Sequence, residues 1–220
     1  MKKEQQPLTI EKIKKAHAER SKEIHARIAE FDAVWDSADD TLLWEEMVFC
    51  FFTGGCSARM GLCSVEAVRP LLLEGDYDEL AGALRGVHRY PNARAGYIVA
   101  SREFLREHCG MQLRRKLQSF EDDLERRDWL VREKRIKGLG YKEASHFLRN
   151  IGLKGYAILD KHILRSLAEL KIIDDPKPPN TRARYLIVEQ QLKNLARQVE
   201  IDFDELDLVL WSMKTGEILK

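Results

Sequence analysis

The chain has 220 residues, 44% of them hydrophobic and 33% charged, enough apolar material for a substantial core without disulfides or metals. This balance excludes a disordered chain, and the lack of any run of roughly 18 apolar residues excludes a membrane span. A net charge of +1 gives no global sign of a polyanionic partner, and the first thirty residues lack the apolar stretch of a secretory signal, so a cytoplasmic location is expected.

In chain order, residues 8–33 are charged with sparse apolar positions (Ile10, Ile13, Ile24, Ile28, Phe31), which predicts a long surface helix with a narrow buried stripe. A polar break follows over Asp36–Thr41. Leu42, Leu43, Met47, Val48, Phe51 and Phe52 then predict a core helix ending near Gly54-Gly55. Shorter helices are expected around 64–73, 76–86, 92–107 and 111–121. Cys50, Cys56, Cys63 and Cys109 contain no close C-x-x-C pair, so a zinc or iron–sulfur site is poorly supported. Cys50 and Cys56 lie in an apolar run and are expected to be buried thiols.

The last third is clearest. Arg127–Lys137 reads as a helix interrupted by Gly138-Leu139-Gly140. A second helix carries Ala144, Phe147, Leu148 and Ile151 at helical spacing, with Gly152 as its C′ residue. Asp160 precedes Ile163, Leu164 and Leu167 and is a natural N-cap. After a proline loop (Pro176, Pro178, Pro179), a helix runs through Tyr185, Val188, Leu192, Leu195 and Val199. Asp202-Phe203-Asp204-Glu205 then opens the final helix like a capping box. Strand signals are nearly absent, so the fold class is all-α.

Charge is concentrated where its total is not. Residues 131–165 hold nine cations and three anions, a local charge of +6, which suits a polyanion but also suits a solvated helical face. Within this stretch a G-x-G turn between two helices lets backbone press on backbone and lets a phosphate approach the amides of the second helix. Most such glycines only make turns; this one lies in the most basic segment. Lys142 stands two residues before Ala144, roughly 200° round the helix from the core stripe. His146 and Arg149 are expected on the same polar face, where neighbouring cations would favour a neutral, nucleophilic amine. From composition alone, the reading of Lys142 as a surface lysine in the first turn of a helix prevails.

Residues 136–167, IKGLGYKEASHFLRNIGLKGYAILDKHILRSL, resemble the helix-hairpin-helix and following Asp loop of the base-excision DNA glycosylases. The run KGLGYKEASHFLRN and the ending WSMKTGEILK resemble the archaeal and bacterial second class of 8-oxoguanine DNA glycosylases with AP-lyase activity. The resemblance covers about residues 40–220, and Gly54-Gly55 depart from the polar residue expected there.

The resemblance implies a lysine after the hairpin and an Asp eighteen residues on, met by Lys142 and Asp160. Lys142 would attack the sugar C1′, expel the base and form a Schiff base. Asp160 would assist deprotonation or stabilise positive charge on the sugar. Gly138, Leu139 and Gly140 would hold a phosphate through backbone amides, with a monovalent cation admitted on their carbonyls and no other cofactor or metal required. His162 is a candidate phosphate contact, and the terminal carboxylate of Lys220 a candidate reader of the base. Trp211 is a candidate stacking platform, and equally a candidate core residue. A lyase amine makes an imine, which acidifies the neighbouring sugar proton; base removal is then followed by strand cleavage. The base must leave the stack to reach that amine.

The expected architecture is two helical lobes around a DNA-binding cleft, residues 1–37 with 156–220 forming one and residues 38–155 the other, with Lys142 and Asp160 facing across it. The expected partner is damaged duplex DNA, met by a monomer and without a membrane. Arg89, Asn92 and Arg94 are candidate contacts to the opposite strand. The alternatives are a glycosylase/lyase for another oxidised base and a non-enzymatic helix-hairpin-helix DNA-binding module. The absence of cysteines after Cys109 counts against the iron–sulfur relatives.

Overall fold

The computed structural model describes residues 7–220; the first six residues of the expected composite lobe lie outside the described residues. The described chain is all-helical: α1 (Ile10–Asp36), α2 (Asp40–Thr53), α3 (Ala58–Val68), α4 (Tyr77–Leu84), α5 (Pro91–Cys109), α6 (Leu113–Gln118), α7 (Asp123–Arg132), α8 (Tyr141–Asn150), α9 (Lys161–Glu169), α10 (Arg182–Val199) and α11 (Phe203–Thr215). A 3-10 turn, Arg69–Leu71, follows α3. No described helix is long and apolar enough to cross a membrane.

Side-chain caps account for most helix starts. Asp39, Ser57, Asp122 and Thr181 each accept a backbone N–H from the first turn they precede. Each satisfies a donor that helix geometry leaves without a partner. Asp76 and Glu79 form a reciprocal capping box at α4.

The chain divides into two compact units: Phe31–Leu153, and the chain up to Glu30 together with Lys154–Lys220. In the first, α2 is the centre. Leu43, Trp44, Met47, Val48, Phe49, Cys50, Phe51 and Phe52 are all fully buried, because helices α3, α5, α6 and α8 pack around it. His88 ties the end of α2 to the turn before α5. Its Nε2–H donates to the Phe52 carbonyl at 3.1 Å, and its Nδ1 accepts from the Tyr90 amide at 3.0 Å. Those roles require the neutral ring, and burial correspondingly lowers its pKa. Gly152 ends α8 with φ +86°, and Leu153 N–H reaches back to the Leu148 carbonyl at 3.0 Å. A Cβ on Gly152 would lie 2.9 Å from the Phe31 carbonyl oxygen, so glycine is required twice over.

In the second unit, α9, α10 and α11 pack together. The segment before Asp160 is tied into them: Asp204 accepts from Gly155 N–H at 2.8 Å, Glu189 from Ala157 N–H at 3.0 Å, and the Tyr185 hydroxyl donates to the Ala157 carbonyl at 2.6 Å.

Several expectations need correction. The helix expected around 64–73 begins at Ala58, because Ser57 caps it. The helix expected over Arg127–Lys137 is displaced to Asp123–Arg132, started by the Asp122 cap. Leu42, expected in the core face of α2, is 40% exposed. Cys56 is only half-buried, lying in the turn after Gly55. Asp202 does cap α11, but Glu205 turns away from the capping box to meet two histidines of α1.

Candidate active site

The hairpin is built from α7, a turn and α8. Lys137 N–H donates to the Ser101 hydroxyl at 2.9 Å, anchoring the turn on α5. Gly138 has φ +79°, and a Cβ there would lie 2.7 Å from the Tyr97 ring, so both the backbone angle and the close approach demand glycine. Leu139 is buried, while Gly138 and Gly140 face solvent. Gly140 opens α8 from extended backbone and offers no side-chain cap. Its carbonyl accepts from Ala144 N–H at 2.9 Å. Gly140 therefore lends the first turn of α8 no side-chain acceptor, and the helix dipole adds partial positive charge there. Two contacts fix the second helix against the first. The Arg127 guanidinium, 1% exposed, donates to the Ser145 hydroxyl at 3.1 Å, and the Tyr141 hydroxyl donates to Asp128 at 3.1 Å.

Lys142 follows in the first turn of α8. Its side chain is 25% exposed, and its Nζ lies 3.2 Å from Glu143 Oε1. The sequence reading overlooked Glu143. A carboxylate adjacent in the chain carries no helical-spacing signal, yet here it curls back over the hairpin. Its Oε2 lies 3.2 Å from where a Gly140 Cβ would sit, and its Oε1 3.7 Å from the same point on Gly54. The departure from a polar residue at Gly54 thus leaves the space beside Glu143 open. Arg94 donates to the Gly54 carbonyl at 2.5 Å and stacks over the Tyr97 ring at 5.1 Å. It is buried and braces this loop. Arg89 and Asn92 remain exposed.

The expected cationic face around Lys142 is absent. His146 and Arg149 are buried, the first edge-on to Phe49 with ring centroids 5.5 Å apart, the second over the Phe31 ring at 4.6 Å. The nearest charge to Lys142 given by the geometry is the Glu143 carboxylate. The basic stretch is likewise partly answered by acids outside it: Arg132 pairs with Asp128 at 3.1 Å and Arg135 with Glu107 at 2.9 Å.

The other predicted residues belong to the second unit. Asp160 caps α9, its Oδ1 accepting from both His162 and Ile163 amides at 2.8 Å. Among the described residues its Oδ2 carries no hydrogen bond. His162 lies edge-on to Trp211, centroids 6.5 Å apart. Burial is the main cause of a lowered His162 pKa, with Asp160 opposing it. Trp211 is half-buried, so one part of the indole packs and another meets solvent. The tail beyond Gly216, a left-handed C′ residue at φ +86°, is held where Arg27 donates to the Ile218 carbonyl at 3.4 Å, and Lys220 is half-buried. The hairpin glycines and Lys142 are thus grouped in one unit; Asp160, His162 and Trp211 are grouped in the other.

A glycine hairpin whose second helix opens without a side-chain cap, followed at once by a partly buried lysine, fits the helix-hairpin-helix class of proteins. The sequence profile of the 8-oxoguanine DNA glycosylase family matches residues 24–201, and the chain belongs to that family. It is 41% identical over 198 residues to the 8-oxoguanine DNA glycosylase/AP lyase of Korarchaeum cryptofilum, covering 90% of each chain. It is 35% identical to the enzyme of that name from Methanocaldococcus jannaschii, over 97% of this chain and 100% of the other. The crystal structure of the M. jannaschii glycosylase/lyase with a 15mer DNA containing 8-oxoguanine superposes with a TM-score of 0.88 at 35% identity, covering 96% and 99% of the two chains. The 8-oxoguanine DNA glycosylase of Thermotoga maritima gives 0.86 at 32% identity, covering 96% and 98%.

Proposed function

We propose that this chain is a bifunctional DNA glycosylase/AP lyase that excises 8-oxoguanine from duplex DNA and then cuts the strand. The observation that carries the reading is the first turn of α8. A helix start to which Gly140 lends no side-chain cap, suited to a phosphate, and an amine held by Glu143 lie on one short element. Gripping the backbone there fixes the sugar relative to Lys142 without reading sequence.

Lys142 Nζ, once neutral, attacks C1′ as the glycosidic bond breaks and the base departs with the bonding electrons. Loss of the C1′–O4′ bond opens the sugar and leaves a protonated Schiff base. That cation acidifies C2′–H; removing the proton drives β-elimination, breaking the C3′–O bond. Asp160 has one carboxylate oxygen committed to its helix and a second without a hydrogen bond, which suits a proton acceptor or a stabiliser of sugar cation. Glu143 positions the amine. His162 serves as a phosphate contact beside Asp160. Trp211 stacks on the flipped base, and the Lys220 carboxylate accepts the N7–H that distinguishes 8-oxoguanine from guanine. The chemistry requires no cofactor. A monovalent cation would sit on the hairpin carbonyls, of which that of Gly140 already accepts one N–H. The enzyme acts on DNA as a monomer in the cytoplasm.

The test is cleavage of a duplex carrying one 8-oxoguanine, with borohydride trapping, in wild type and Lys142→Gln. Wild type is expected to nick the strand and form a trapped adduct, and the variant to do neither. A folded wild type that gives no nick and no adduct overturns the reading in favour of a DNA-binding module or another lesion.

A further inference from the structure

Outside the DNA-processing residues, one cluster brings three metal-binding side chains together. His17 and His25 stand on α1, and Glu205 in the first turn of α11, all within the second unit. His17 Nε2 lies 2.6 Å from Glu205 Oε2, and His25 Nε2 lies 3.0 Å from Glu205 Oε1. One donor atom from each residue fits within a 4.8 Å span. This convergence is not forced by the helix. Residues eight apart are separated by about 12 Å along an α-helix axis, so the two imidazoles must lean toward each other to meet one carboxylate. Glu205 in turn gives up the capping-box role its position in α11 would allow.

From this geometry we infer that His17, His25 and Glu205 form a binding site for a divalent late transition ion such as zinc, nickel or cobalt. Two imidazoles and one carboxylate suit such borderline ions, whereas calcium and magnesium favour all-oxygen cages. A tetrahedral ion with ligand bonds of about 2.0–2.1 Å separates its donors by roughly 3.4 Å. To admit it the two His–Glu distances must open by several tenths of an ångström, and any donor pair near the 4.8 Å limit must close by about 1.4 Å, shifts within reach of side-chain rotation. His17 and Glu205 are mostly shielded, with side chains 25% and 17% exposed, while His25, 61% exposed, leaves an entry path and room for a water as fourth ligand. The site would clamp α1 to the start of α11, the helix that carries Trp211. It uses none of the residues assigned to glycosylase chemistry and stands independently of that reading.

The test uses the full chain without a histidine tag, stripped with chelator, and titrated with Zn²⁺ by calorimetry and with Co²⁺ by visible absorption. His25→Ala removes an exposed ligand without opening the core, and Glu205→Gln preserves shape while removing charge. Wild type should take up one equivalent with cobalt ligand-field bands free of thiolate charge transfer. Zinc should raise its Tm by a few degrees. Uptake and the Tm shift should disappear in His25→Ala and weaken at least about tenfold in Glu205→Gln. The inference is overturned if wild type binds no metal, if His25→Ala binds as tightly as wild type, or if the cobalt spectrum shows thiolate ligation by the free cysteines.

Discussion

Helix α8 opens on Gly140, which lends its amides no side chain; helix α9 opens on Asp160, whose Oδ1 takes the amides of both His162 and Ile163. Every α-helix begins with donors that its own ladder cannot use. In α9 the chain answers two of them with one oxygen of its own carboxylate. In α8 the cap residue supplies no side-chain acceptor, and under the proposed function the partial positive charge of that helix end would face a phosphate. The residue at one cap position decides whether the chain itself supplies an acceptor to a helix start.

Two substitutions probe this contrast, and a third probes a buried carboxyl at another helix start. Asp160→Asn should have the largest effect. Asparagine caps a helix about as well as aspartate, so Tm should stay within a few degrees of wild type. Base release measured in single turnover should fall by about 10²-fold or more. A variant that loses stability in step with activity would show the carboxylate to be a cap alone. Gly140→Asp makes α8 resemble α9. With Glu143 Oε2 already 3.2 Å from the new Cβ, it adds a second negative charge where a phosphate would sit. DNA affinity, read by anisotropy in a non-cleaving Lys142→Gln background, should weaken by about tenfold, and the dependence of log K on log salt should become shallower by about one. Unchanged affinity would remove the hairpin from the DNA interface.

The smallest effect is expected at the start of α11. Burial there pushes the Asp204 carboxyl up to about 6 from its ordinary 3.8. A folded pKa above the unfolded one means the native state holds the proton longer, so stability declines as pH rises from about 4 through 6 and remains lower above. Asp204→Asn can still accept the Gly155 N–H. It should therefore be more stable than wild type above pH 6, by on the order of 1 kcal/mol, with the difference closing near pH 4. Thermal melts across that range measure it; a constant difference at every pH would assign the effect to packing.

Much of this organisation is legible in the chain itself. The helical spacing of Ala144, Phe147, Leu148 and Ile151, the stop at Gly152 and the cap at Asp160 all rest on local rules, and each stands where periodicity places it. What escaped depends on residues distant in sequence. His146 and Arg149 look like a solvated polar face until Phe49 and Phe31 are brought beneath them. Arg94 looks like a helix-start cation until its guanidinium is seen bracing the Gly54 carbonyl. The start of α3 was missed because ARMGLC shows no apolar stripe, although Ser57 announced it as a cap. The pairing of Lys142 with Glu143 was hidden because neighbours in a helix do not normally face each other, and only the open space at Gly140 and Gly54 lets that carboxylate fold back.

The turn at Gly152 carries a consequence for natural variation. Because a methyl group there would press on the backbone of α1 at Phe31 and Asp32, no side-chain change at a neighbouring site can relieve it. Drift can repack most of this interior by trading volume between partners, but at this position there is no partner to trade with. Chains that share this architecture should therefore keep a glycine here even where the surrounding core has diverged, and a chain that lacks one should carry a length change in the flanking turn.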